Sequence, residues 1–101
     1  MKRLMIVALV VLTASHAMAA DSGQRLYATC AGCHGTAGAG TGGVLPVLAG
    51  QPKDALAASL RAFKAGTRPA TIMQQIAKGY TDEQIEQLAA YLAAQPAKER
   101  K

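Results

Sequence analysis

A small all-α fold of about four short helices is predicted by three features of the chain. Its apolar residues recur at helical rather than alternating spacing, two start signals carry a glutamine three residues on, and no stretch reads as a strand. Met1–Ala19 is excluded from this reading because it has the build of an export signal. Lys2 and Arg3 lead, Leu4 to Leu12 is apolar, and Ala17-Met18-Ala19 supplies the small residues a signal peptidase requires. The apolar run is too short to span a bilayer. Cleavage before Ala20 is expected to leave residues 20–101 as one domain in the oxidising periplasm, with no stable membrane insertion.

Asp21 with Gln24 opens the first helix, expected over Ser22–Cys33, in which Leu26 and Tyr27 face a partner helix and Gly23 lets that partner approach closely. Gly35 to Gly43 is small, flexible and aperiodic, and reads as a loop over the edge of a flat ligand. Val44-Leu45-Pro46-Val47-Leu48 follows as a short apolar segment. Pro52 suits a first helical turn and Gly66 a stop, giving a second helix whose Leu56, Leu60 and Phe63 form one stripe. Arg61, Lys64 and Arg68 make a basic cluster, read either as a docking face for an acidic partner or as a solvated face. Thr67 to Thr71 turns at Pro69, and Ile72, Met73 and Ile76 sit on a short helix ending at Gly79. Thr81 and Gln84 make a second capping box. Ile85, Leu88, Ala89 and Leu92 then mark a last helix over about Asp82–Ala94, with Leu88, Tyr91 and Leu92 meeting Gly23, Leu26 and Tyr27. The tail from Ala97 is charged and expected to fray.

The chemistry is concentrated in Cys30-Ala31-Gly32-Cys33-His34. Two thiols three apart can thioether-bond the two vinyl groups of a haem from one helical turn, and the adjacent imidazole can ligate its iron. A thioredoxin-like pair would need a βαβ setting. Structural zinc would need four ligands, and only Cys30, Cys33 and His34 remain after export. A simple disulfide would leave His34 idle.

Loss of the export signal removes Met1, Met5, Met18 and His16, so His34 and Met73 become the sole histidine and methionine. His paired with Met is the axial combination that raises haem potential, which makes Met73 the candidate sixth ligand, flanked by Ile72 and Ile76. In a short helix a methionine is more commonly core filler; its solitary status argues otherwise here. Formal net charge falls from +5 to +3 on cleavage. With only Tyr27, Phe63, Tyr80 and Tyr91 as aromatics and no dense basic stripe, nucleic acid is not an expected partner. A chain this small is a marginal single domain, for which covalent haem supplies a staple.

With these parts in place the chain resembles class I cytochromes c over nearly all of residues 20–101. Cys-Ala-Gly-Cys-His-Gly, Leu-Ala-Gly-Gln-Pro (48–52), Phe-Lys-Ala-Gly-Thr-Arg-Pro (63–69) and Thr-Asp-Glu-Gln-Ile (81–85) are similar to small bacterial electron carriers. Arg-Pro-Ala-Thr-Ile-Met (68–73) with Ile-Ala-Lys-Gly-Tyr (76–80) resembles the cytochrome subunit of flavocytochrome c sulfide dehydrogenase. The resemblance implies a class I fold wrapped around one haem c, attached at Cys30 and Cys33, with His34 proximal and Met73 distal. The family commonly has a proline, three residues before the position of Pro46, whose carbonyl bonds the proximal histidine. Gly43 stands there in this chain, so the bond to His34 is expected from a carbonyl between Gly43 and Pro46.

An iron with both axial positions filled has no place for substrate, so the expected role is one-electron transfer rather than catalysis. One reading is the electron-accepting subunit of a flavin-dependent sulfide dehydrogenase, partnered by a flavoprotein. The alternative is a free soluble carrier between respiratory or photosynthetic complexes. A haem ligand sensor or peroxidase would require Met73 off the iron.

Overall fold

The computed structural model describes residues 22–43 and 45–97. The export signal, the Asp21 cap, Val44 and the tail beyond Ala97 lie outside the described residues. Helix α1 covers residues 22–27, α2 Ala31–His34, α3 Lys53–Ala65, α4 Met73–Lys78 and α5 Asp82–Ala93, with a 3₁₀ turn at Thr36–Gly38. No strand occurs among the described residues.

The expected first helix is interrupted at residues 28–30, and the hydrogen bonds give the reason. In a continuous helix the Cys30 N–H would reach the Leu26 carbonyl. It instead donates to Tyr27 O at 2.8 Å, while the Leu26 carbonyl is taken by the Thr29 hydroxyl at 3.4 Å. A threonine side chain that bonds a nearby carbonyl competes with the helical ladder there. The chain resumes helical bonding when His34 N–H reaches Cys30 O at 2.9 Å.

Helix α3 starts one residue later than expected, with Pro52 at its cap position rather than inside it. Gly66 ends it in the left-handed conformation (φ 76°), donating to the Ala62 and Phe63 carbonyls. Helix α5 opens on the expected reciprocal box. The Gln84 N–H donates to Thr81 Oγ1 at 3.1 Å, and the Thr81 N–H donates to Gln84 Oε1 at 2.9 Å.

The core joins α1, α3 and α5 through Tyr27, Leu56, Ala57, Ile85, Leu88, Ala89 and Leu92. Helix α3 packs on both α4 and α5. At the crossing of α1 and α5, a Cβ on Gly23 would stand 2.5 Å from Tyr91 Cβ and 2.6 Å from the Gln87 carbonyl oxygen. Only glycine permits that approach. The Tyr27 and Tyr91 rings lie 5.8 Å apart beside it, so the two ends of the domain clasp as expected.

The basic cluster is largely consumed internally. Arg61 pairs with Glu86, Lys53 joins the same carboxylate at 3.3 Å, and Lys64 reaches Asp82 at 3.5 Å. These pairs lie between α3 and α5 on a largely solvated face, where the basic side chains are matched by acids of α5.

Candidate functional site: an apolar cavity around His34 and Met73

Helix α2 is only one turn, yet it delivers Cys30, at its cap, together with Cys33 and His34 to a single cavity of about 350 Å³. The two cysteines are not joined in a disulfide. Across the cavity stand Met73, Ile72 and Ile76, from the start of α4 and its cap. The α3 stripe of Leu56, Leu60 and Phe63 forms the wall, and Leu88 and Leu92 of α5 close it from the core side. Sequence positions 30 to 92 thus converge on one apolar space containing all four candidate site residues.

The segment after α2 sets the imidazole. The Gly40 N–H donates to His34 O at 2.7 Å, folding the loop back on α2, and the Gly38 carbonyl accepts from Leu48 and Ala49 N–H at 2.9 and 3.0 Å. Gly35 adopts φ 81°, and a Cβ there would run into the Gly40 carbonyl. Gly35 therefore serves the loop's own backbone, while Gly38 and Gly40 make room for Leu92, Leu48 and Val47. No described residue of 35–43 lines the cavity, contrary to the expected wrap over a ligand; Leu45, Pro46 and Leu48 do that instead.

Anchored in this way, the Pro46 carbonyl comes 3.0 Å from His34 Nδ1. The partner of His34 is therefore itself a proline, and the rigidity expected to be missing at Gly43 is present at Pro46. With Nδ1 donating to that carbonyl, Nε2 is the ring nitrogen left with a lone pair for a metal. His34 is buried, at 7% exposure.

Arg68, which the sequence places only in a basic cluster, lines the cavity. Its guanidinium lies 4.7 Å from the centre of the Phe63 ring and donates to Ser59 Oγ at 2.8 Å. Of the side chains lining the cavity it is the only one that is permanently charged. Its backbone carbonyl accepts from Gln74 Nε2 at 2.8 Å, joining the 67–72 turn to the first turn of α4, beside Met73. Its sequence clue was its place five residues before the sole methionine of residues 20–101.

Two thiols and an imidazole on one turn, facing a thioether over apolar walls, suit a flat apolar macrocycle with a metal at its centre. The sequence model of the family described as cytochrome c matches residues 20–96. The chain belongs to the cytochrome c family.

Cytochrome c membership implies a covalently bound haem c, and Cys30 and Cys33 stand at the attachment spacing. Among its relatives, the cytochrome subunit of sulfide dehydrogenase of Chlorobaculum tepidum is 42% identical over 68% of this chain and 62% of that protein. Cytochrome c-554(548) of Halomonas halodenitrificans is 38% identical over 75% of this chain and 95% of its own length. The thiosulfate dehydrogenase electron acceptor of Stutzerimonas stutzeri is 40% identical over 69% of this chain but only 34% of that protein. The match thus spans less than two thirds of the first and third of these. Within the cytochrome c family the role is electron carriage. No helix among the described residues is long and apolar enough to cross a membrane.

Proposed function

We propose that this cytochrome c is a periplasmic one-electron carrier, exported by cleavage after Ala19, with haem held through Cys30 and Cys33 and ligated by His34 and Met73. The carrying observation is that all four side chains line one cavity while Pro46 O engages His34 Nδ1. When bound, haem c supplies a ferrous/ferric couple and leaves the protein to set its potential. The Pro46 carbonyl holds the imidazole in one tautomer and raises its basicity. Leu56, Leu60, Phe63 and Ile76 exclude water from the metal side. Arg68, held by Ser59 and the Phe63 ring, would offer a cation to the carboxylates of a bound haem.

The proposed electron source is a flavoprotein that oxidises sulfide or another reduced sulfur compound. This is supported by the 42% identity to a sulfide dehydrogenase cytochrome subunit and by the 68–73 and 76–80 motifs around Met73. A second reading, a free carrier, is favoured by the near full-length match to the small cytochrome c-554(548). Gentle isolation from the native periplasm at low salt, followed by a reduced-minus-oxidised visible spectrum, separates them. Stoichiometric flavin travelling with the haem bands supports the subunit, haem bands alone support the free carrier, and absence of haem removes both.

A further inference from the structure

The break between α1 and α2 leaves the Leu26 carbonyl without the helical donor it would otherwise have, directly ahead of Cys30. Two hydroxyls take it up. One is the local Thr29, at 3.4 Å; the other is Tyr80, at 3.3 Å, from 54 residues further along the chain. Tyr80 OH and Thr29 Oγ1 also bond each other. Three oxygens thus share two hydroxyl protons, and whichever hydroxyl donates to the other, both protons have an acceptor. Thr29 Oγ1 stands 3.9 Å from Cys30 Sγ and the residue itself lines the cavity.

Tyr80 occupies a particular place. It follows α4, which starts at Met73, and immediately precedes Thr81, the cap of α5; its own N–H donates to Ala77 O at 3.2 Å. Its ring packs against the core cluster, and burial pushes the phenol above its ordinary value, so that it remains a protonated donor. We infer that Tyr80 is a positioning residue: through Thr29 and Leu26 it bolts the far end of the Met73 helix to the turn carrying Cys30, and thereby holds Met73 toward the iron. Neither hydroxyl is a candidate ligand. They would fix the separation of the two chain segments that would hold the metal, so a displacement of Met73 that released α4 would break the bolt.

This inference rests on Met73 being the sixth ligand, and the test keeps the two apart. Imidazole is titrated into the ferric holoprotein, where it must displace Met73. The long-wavelength charge-transfer band of methionine-ligated ferric haem is followed together with the thermal midpoint. Wild type is expected to show that band; if it does not, the ligand assignment fails and the bolt falls with it. Given the band, Tyr80→Phe is expected to raise imidazole affinity about fivefold, the size set by one lost neutral hydrogen bond. Thr29→Val is expected to give a gain of similar direction, and the double variant about the same fivefold gain rather than the product of two. Tyr80→Phe with the wild-type band and wild-type imidazole affinity would overturn the bolt while leaving the ligand assignment standing. A lowered thermal midpoint with unchanged imidazole affinity would also overturn it, since that is the mark of a purely structural tyrosine. Effects that multiply in the double variant would show that the two hydroxyls do not act together.

Discussion

His34 Nδ1 and the carbonyl oxygen of Pro46 stand 3.0 Å apart, across a loop that Gly35 lets fold back on Gly40. The bond fixes the orientation of the imidazole and makes the opposite nitrogen more basic. A more basic ligand favours the ferric state, so weakening the bond should raise the potential. Complete loss of one hydrogen bond, about 1 kcal/mol, corresponds to about 40 mV for a one-electron couple. Pro46→Ala keeps the carbonyl but frees its backbone, and voltammetry of the holoprotein should show an upward shift smaller than this. A downward shift would mean that the proline acts mainly by keeping water out.

Met73→Ala should lower the potential by roughly 0.1 V or more, because the thioether that favours ferrous iron is lost. The reduced variant should then bind carbon monoxide at neutral pH, whereas the wild type should not. A wild-type visible spectrum in the variant would eliminate Met73 as ligand.

Gly23→Ala tests the clasp of α1 and α5. A methyl group at 2.5 Å from Tyr91 Cβ and 2.6 Å from a backbone oxygen must push one helix off the other. Overpacking of this kind costs about 2 kcal/mol, which lowers the thermal midpoint of so small a domain by roughly 10 °C. Calorimetry of the holoprotein measures it directly.

Hydrogen bonds from Arg61 and then Lys53 hold the Glu86 carboxyl below the ordinary carboxylate range. A native pKa below the unfolded one means that this stabilisation is complete above the unfolded value and is lost as pH falls through the native value. Glu86→Gln should therefore be less stable than wild type near neutrality, with the gap closing in acid. The pairs are exposed, so added salt should narrow the gap too. Urea denaturation across the acid range, at two salt concentrations, would reveal a pH-independent gap if the pairing contributes nothing.

Replacing Cys30 and Cys33 with Ala removes covalent attachment. The domain is small enough that its own apolar core is marginal, and many of the core and partly buried residues, among them Leu56, Leu60, Leu88 and Leu92, line the cavity as well. Far-ultraviolet circular dichroism of this variant, prepared without haem, should show a largely unfolded chain. Native helicity with a cooperative melt would show that the protein core suffices alone.

Features written into neighbouring residues were legible in the sequence. The Thr81–Gln84 box, the Gly66 stop, the Leu56-Leu60-Phe63 stripe and the Gly23 contact each depend on a local pattern or on one small residue facing bulk. That the pentad and Met73 would meet at one place was legible because the ligand chemistry proposed for them restricts which residues could serve. What escaped depends on partners distant in the chain. The helix break at 28–30 involves Thr29 and a tyrosine 51 residues from it, and the basic cluster finds its acids on α5. The identity of the His34 acceptor turned on how Gly35, Gly38 and Gly40 fold the loop, which decides whether residue 43 or residue 46 arrives beside the ring.

Helix α5 supplies Ile85, Leu88, Ala89 and Leu92 to the core and is the last helix in the described chain. The consequence is temporal. A polypeptide delivered from its N-terminus exposes Cys30 and Cys33 before the residues that seal the space behind them have emerged. Attachment at that stage would meet an open, pliable thiol pair, and closure would wait for helix α5, which then encloses the prosthetic group from the core side.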